Sequence, residues 1–289
     1  MSIPFDSQCR ACFIDRNMHL VRALGTEEQA AEFSAALHSL FDSVPEGVSS
    51  PWFGPALSDL LHEMYGLDID RYKEEKAESN RFVLARMEQI REKVAAASDP
   101  VYAGLQFAIL GNYIDFAALR GEVSFEKLEK MLDSALEMEL DKGVYARFCR
   151  ELEDGRELLY LTDNAGEIGF DRIFAEAIQK KYPHLAITFC VRGGPANNDA
   201  TREDAALIGI PFPVIDNGNR IPGTQLDQLS PESKAALDSA DVILSKGQGN
   251  AETLLGCGYN IYYAFLVKCI RFVQRFNKPK LTPMFVAER

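Results

Sequence analysis

Three short stretches of this chain carry side chains suited to holding a cation and an anion together. The first is Leu158-Leu-Tyr-Leu-Thr162-Asp163-Asn164-Ala-Gly166-Glu167, an apolar run that breaks into carboxylates and a carboxamide. The second follows an apolar run ending at Val191 and reads Arg192-Gly-Gly-Pro195-Ala-Asn197-Asn198-Asp199-Ala-Thr201. The third follows Asp241-Val-Ile-Leu-Ser245 and reads Lys246-Gly247-Gln248-Gly249-Asn250-Ala251-Glu252-Thr253. Asp163, Asn164 and Asp199 offer hard oxygen donors, which suit Mg²⁺ or Mn²⁺, ions that keep waters and take phosphate oxygens as remaining ligands. Lys246 adds a point charge, and Gly247 and Gly249 add backbone amides that a phosphate can approach closely. Each loop alone also reads as ordinary structure: Asp163, Asn164, Asn198 and Asp199 as helix caps, Arg192 as a surface salt bridge, Lys246 as an exposed strand-end lysine. Their conjunction is harder to explain that way, because the strands of one parallel sheet deliver their C-terminal loops to a single edge.

Other chemistries lack their signatures. The third loop does not match a Walker pattern, and Glu252 stands where a dinucleotide fingerprint needs a small residue. No Gly-x-Ser-x-Gly elbow occurs, and no Asp-x-Asp pattern lies near Asp163. The histidines at 19, 38, 62 and 184 show no paired ligand spacing. Cys9-x-x-Cys12 reads as a redox pair, as half of a zinc site, or as packing on an N-terminal helix; a zinc knuckle requires a second pair. The cysteines at 149, 190, 257 and 269 read as buried thiols.

The elements that must position these loops follow from periodicity. Between Glu27 and Gly155, apolar residues recur at three- and four-residue spacing in 28–44, 69–97, 100–119 and 124–152, which predicts helices. From Glu157 onward, short apolar runs at 158–162, 185–191, 212–215, 241–245, 260–267 and 283–287 predict strands. Helical stretches at 170–181, 202–208, 231–239 and 269–276 fall between most of them. Strands alternating with helices imply an α/β fold with a mostly parallel, doubly wound sheet. The expected organisation is a helical subdomain over 1–155 and an α/β domain over 156–289 that binds metal and phosphate. Asp216 to Gln228, rich in Asn, Gly and Pro, reads as a long loop and a mobile cover for a site.

With 31 basic against 43 acidic residues, the net charge of −12 repels nucleic acid and anionic lipid. An anionic substrate therefore needs locally placed cations or a metal. The N-terminal residues lack the pattern of a signal peptide, and no apolar run approaches about 18 residues, so a cytoplasmic protein without a membrane partner is expected.

Asp163-Asn164-Ala-Gly-Glu167, Arg192-Gly-x-Pro195-x-Asn-Asn198-Asp199-Ala-Thr201 and Lys246-Gly-Gln-Gly-Asn250-x-Glu252-Thr together resemble the damage-control phosphatases. That family was formerly grouped as a domain of unknown function and includes the acidic residue methyltransferase-like proteins. Gly111-Asn112-Tyr113-Ile-Asp115-Phe116 looks like a further family element, and Cys9-x-x-Cys12 resembles that of small stand-alone prokaryotic members. The resemblance spans nearly the whole chain. It implies a Rossmann-like domain with helical additions and a metal-dependent phosphomonoesterase that clears sugar phosphates or damaged phosphorylated metabolites, with Mg²⁺, Mn²⁺, Co²⁺ or Ni²⁺ as cofactor. By that resemblance Asp163, Asn164 and Asp199 bind the metal, and Asp163 and Lys246 are the catalytic residues. Lys246, Gly247 and Gly249 bind phosphate, while Asn198, Glu167 and Asn250 support the site or touch substrate. Asn112 and Asp115 line it from the helical half. The attacking group is either the Asp163 carboxylate or water. Ala251 departs from the pattern, standing where a larger, often aromatic, side chain is expected. Two alternatives stay open: methyl transfer from S-adenosylmethionine, though no glycine-rich loop follows the first strand, and a non-catalytic sensor of phosphorylated metabolites.

Overall fold

The computed structural model describes residues 3–43, 45, 47–119 and 123–288. Helices fill the first half: α1 (Ser7–Leu24), α2 (Glu27–Asp42), α3 (Gly54–Tyr65), α4 (Lys73–Leu84), α5 (Met87–Ala96), α6 (Pro100–Gly111), α7 (Phe116–Leu119), α8 (Phe125–Asp133) and α9 (Lys142–Asp154). Strands and helices then alternate through β1 (Glu157–Leu161), α10 (Glu167–Lys181), β2 (Ala186–Val191), α11 (Arg202–Ile208), β3 (Val214–Asp216), α12 (Pro231–Ser239), β4 (Val242–Lys246), α13 (Gln248–Leu254), β5 (Ile261–Leu266), α14 (Ile270–Phe276) and β6 (Pro283–Glu288). Among the described residues the strands form one sheet in the order β3-β2-β1-β4-β5-β6. All neighbours are parallel except β5 and β6. The chain reverses its winding between β1 and β4, and at such a switch point the loops part and open a crevice beyond the strand ends.

Several expected elements differ. The helix expected over 69–97 is divided into α4 and α5, and the 124–152 pattern is interrupted between α8 and α9. α1 is the N-terminal helix on which one reading placed Cys9 and Cys12, α3 lies outside the expected helical stretches, and Val44, expected in the helix over 28–44, lies outside the described residues. The 100–119 pattern breaks at Asn112, where Asn112, Tyr113 and Ile114 donate to Ile109, Leu110 and Gly111 three residues back, tightening and ending the helix. α13, whose stretch reads as a loop in the sequence, is helical. The 216–228 loop is pinned rather than free. Asn217 Oδ1 accepts from Gly193 N at 2.9 Å, and Thr224 N donates to Thr253 Oγ1 at 3.0 Å.

α6 sets the geometry of the site. Asp99 caps its N-terminus, Pro100 occupies the first turn, and Val101 and Ala103–Gly111 are buried all round. A helix apolar on every side belongs in a core. Gly104 and Gly111 let it lie against α10: a Cβ on Gly111 would sit 2.6 Å from Phe170 Cδ2, and one on Gly104 3.0 Å from the Phe174 Cα. α4, α5, α6, α8 and α9 share one hydrophobic cluster with the α10 face of the sheet, including Phe107, Phe148, Tyr160, Phe174 and Leu244. α1, α2 and α3 have their own cluster of Phe33, Leu37, Phe41, Phe53 and Leu61. The apolar packing thus groups α1–α3 apart from the other helices, which share the cluster of the sheet. α1–α3 form a cap, and the remaining helices are part of the α/β body.

Candidate active site

β1 ends at Leu161, and Asp163 and Asn164 follow after Thr162 in the crevice. The loop after β2 folds back on them. Asn164 and Asp199 form an antiparallel bridge, Ala200 N donates to the Asp163 carbonyl at 2.7 Å, and Ala165 N donates to the Asn198 carbonyl at 2.9 Å. This two-loop ladder brings Asp163, Asn164 and Asp199 together, as their sequence pattern predicts. Arg192 is buried beside them, its Nε donating to Asp199 Oδ2 at 2.6 Å and its Nη2 standing 3.8 Å from Asp163 Oδ1. It is not the surface residue its loop position suggested. Gly247, with φ of +79°, lets the β4 loop pass next to Asp163, since a Cβ there would fall 2.0 Å from Asp163 Oδ2. Its amide donates to the Ala264 carbonyl, so Gly247 makes room rather than offering an N–H to phosphate.

Asn112 ties the helical half to this centre. Its Nδ2 donates to Asp163 Oδ2 at 2.9 Å and to Glu167 Oε2 at 3.0 Å, and its Oδ1 accepts from Leu266 N at 3.0 Å. Asn198 donates to Asn164 Oδ1 at 2.9 Å and to the Ile114 carbonyl at 3.1 Å, orienting the Asn164 carboxamide. Glu167 Oε2 accepts from Asn164 Nδ2 at 2.6 Å. Asn250 is spent on structure: it donates to the Thr162 and Lys246 carbonyls and accepts from Arg192 and Thr224. Ala251 packs fully buried in the cluster on the other face of the sheet, so it does not shape the cleft directly.

Lys246 departs most from expectation. Its Nζ donates to Glu167 Oε1 at 2.5 Å, Asp171 Oδ1 at 2.7 Å and the Ala108 carbonyl at 2.9 Å, and the residue is fully buried. With three donors and three acceptors, no N–H is left for a phosphate. Burial alone would push the Lys246 ammonium down, but Asp171 and Glu167 outweigh it and hold it above the ordinary lysine range. A cation that does line the cleft is Lys268, two residues past β5, whose Nζ donates to Asp115 Oδ2 at 2.6 Å. The sequence carries a signal for it, an apolar run over 260–267 followed by lysine, the same pattern that drew attention to Lys246.

Asp115, Asp163, Asn164, Asp199, Gly249 and Lys268 face a cleft of about 850 Å³ between the cap and the strand ends. Five carboxylates in this network (Asp115, Asp163, Glu167, Asp171, Asp199) meet three cations (Arg192, Lys246, Lys268), an excess of two negative charges. The neighbouring Lys76 and Asp204 cancel each other at 2.9 Å. Burial and then the Asp199 carboxylate push Asp163 well above the usual carboxylate range. Burial pushes Asp199 up to about 6 despite the Arg192 guanidinium. Both shifts come first from burial. Among the described residues no group of three His, Cys, Asp or Glu side chains is placed to hold a metal, so a cation here would rest on two aspartates and the Asn164 carboxamide oxygen.

The model of the damage-control phosphatase ARMT1-like domain matches residues 5–281. The chain belongs to this family. A damage-control phosphatase of Pyrococcus horikoshii is 33% identical over 224 residues, 76% of this chain and 75% of that protein. One from Archaeoglobus fulgidus is 30% identical over 253 residues, 85% of each chain. An uncharacterized protein of Methanocaldococcus jannaschii is 31% identical over 283 residues, 93% of this chain and 90% of that protein. The crystal structure of a DUF89 family protein from P. horikoshii superposes with a TM-score of 0.83 at 27% identity, covering 99% of both chains.

For this damage-control phosphatase family member, sequence reasoning missed Arg192 and Lys268 as site residues. Cys9 and Cys12 both face the cleft from α1; Cys9 is half-buried and accepts from Arg271 Nη1 at 3.4 Å, and Cys12 is exposed. Of the four cysteines expected to be buried, Cys190 is buried, while Cys149, Cys257 and Cys269 are half-buried. No helix among the described residues is long and apolar enough to cross a membrane.

Proposed function

We propose that this chain is a metal-dependent phosphatase that hydrolyses phosphomonoesters of small phosphorylated metabolites. Membership in the damage-control phosphatase family supports a phosphatase-type function. The single observation that carries the finer reading is the paired Asp163 and Asp199 on the cleft floor, with two negative charges unbalanced around them. One divalent cation held by Asp163, Asp199 and Asn164 balances that excess, and Mg²⁺, Mn²⁺, Co²⁺ and Ni²⁺ all accept such oxygens. When bound, it neutralises charge on the phosphate oxygens.

The chain's own residues do the rest. Lys268 offers its ammonium to the phosphate from the cleft floor, in the role the sequence pattern gave to Lys246. Asn198 and Asn112 hold the Asn164 carboxamide and the Asp163 carboxylate in place, which is preorganisation before substrate arrives. Asp163 Oδ2 already accepts from both Asn112 and Asn164, at 2.9 and 2.8 Å. A carboxylate so engaged is a poor nucleophile, so the attack on phosphorus falls to water. Aryl and sugar phosphates assayed with the four cations should release inorganic phosphate, and no release with any of them would end this reading. A phosphorothioate ester made chiral at phosphorus with ¹⁸O and hydrolysed in ¹⁷O-water should give thiophosphate of inverted configuration. Retention would instead implicate a covalent intermediate on Asp163.

A further inference from the structure

Among the described residues, every buried or half-buried arginine is ion-paired with an Asp or Glu except two, Arg16 and Arg71. Both face the cleft that holds Asp163 and Asp199. In a chain with 43 acidic against 31 basic residues, carboxylate partners are abundant, so two half-buried guanidiniums without one are conspicuous. A partly desolvated charge without a partner is costly unless something supplies the partner. Arg71 lies with its guanidinium carbon 5.1 Å from the Tyr72 ring centroid, a contact with the ring face that does not engage its N–H fork. Glu252, an acid on the cleft wall, lies near enough to Arg16 and Arg271 for their charges to be felt, but it forms no ion pair within 4 Å with Arg16 and its side chain accepts from Gln248 Nε2 at 2.9 Å.

The two arginines have a common origin in the fold. Arg16 stands on α1 and Arg71 in the connection leaving α3, so both come from the cap or its exit, while the carboxylates come from the strand ends. The cleft, at about 850 Å³, is far larger than a bare phosphate needs and lies in the range of sites for whole metabolites. Guanidinium groups pair with phosphate and carboxylate through two parallel N–H bonds. We infer that the preferred substrate, under the phosphatase reading on which this rests, is a phosphomonoester carrying a second oxyanion, which Arg16 and Arg71 grip while the scissile phosphate sits over Asp163 and Asp199. The cap then selects and the sheet edge reacts.

Matched pairs of esters test this with Mn²⁺ present: glucose 1,6-bisphosphate against glucose 1-phosphate, and 6-phosphogluconate against glucose 6-phosphate. The parent protein should favour the doubly anionic member of at least one pair by tenfold or more in kcat/KM, and the pair that shows the preference tells phosphate from carboxylate. In Arg16→Gln/Arg71→Gln that ratio should fall toward one through a rise in KM for the doubly anionic ester. Arg86→Gln, which breaks a pair with Glu129 away from the cleft, should keep the parent's ratio. A ratio near one in both pairs for the parent overturns the inference, as does a double variant that keeps the ratio or loses both members equally. p-Nitrophenyl phosphate separates the failures. Its hydrolysis without any preference removes this inference alone, whereas no hydrolysis of any ester removes the phosphatase reading and this inference with it.

Discussion

Asp163→Asn should lose phosphate release by about 10³-fold or more, on the scale seen when a preorganised charge contact is removed from an active site. At the same time its thermal midpoint in the presence of a chelator should lie above that of the parent. Both outcomes come from one feature. Asp163 is buried next to Asp199 and its carboxyl is pushed well above the usual range, so its ionised form burdens the fold when no cation compensates it. An asparagine oxygen can still accept from Asn112 and Asn164, as Oδ2 does, while the repulsion with Asp199 disappears. Residues kept for function at the expense of stability are expected at active sites. The kinetic arm is read by phosphate release and the stability arm by a thermal melt with chelator. A variant that melts below the parent would show that the carboxylate serves the fold.

Lys246→Met should have the largest effect on stability, about 3–5 kcal/mol, the range for breaking a buried ion pair from one side. The substitution leaves Glu167 and Asp171 buried without their shared ammonium, and also leaves the Ala108 carbonyl without its donor. Because Glu167 holds Asn164 and accepts from Asn112, activity should fall as a consequence of disorder around Asn164. Urea denaturation followed by circular dichroism measures the loss. Had Lys246 gripped phosphate, the same substitution would raise KM and leave the denaturation midpoint in place, so the two roles give opposite patterns.

Why the lysine was misassigned from sequence is a matter of one residue. Side chains alternate across a strand, and Lys246 is the last residue of β4, in step with Val242 and Leu244, which pack toward α6 and α10. Its side chain therefore enters the body of the protein and does not reach out past the strand end. Lys268, two residues beyond β5, is free of that alternation. A pattern of apolar run then lysine does not distinguish the two cases, because it does not fix where the strand stops. Asp163 and Asp199 were legible because acids in the loops after adjacent parallel strands must meet, whatever the exact boundary.

The strands were legible for a similar reason: short apolar runs in a doubly wound sheet have few other homes, and α11 and α12 fall on the expected 202–208 and 231–239. Less visible was anything decided by tertiary partners. α6 ends at Gly111 and the side chain of Asn112 is captured by Asp163, Glu167 and Leu266, groups at least 51 positions away in the chain. Arg192 was read as a surface residue because its partners, Asn250 and Asp199, come from α13 and from the far end of its own loop. The division of the helical half into a cap and a body was hidden as well, since both parts share the same helical periodicity and differ only in which cluster they join.

The central claim, that Asp163 and Asp199 share a divalent cation on which phosphate release depends, is tested most directly by titrating chelator-treated protein with Mn²⁺. Free ion is followed by electron paramagnetic resonance and phosphate release is measured on the same samples. The account predicts one tightly bound ion per chain, release that rises in step with occupancy, and loss of both in Asp163→Asn and Asp199→Asn. Undiminished Mn²⁺ binding by either variant, or full release from cation-free protein, would contradict it.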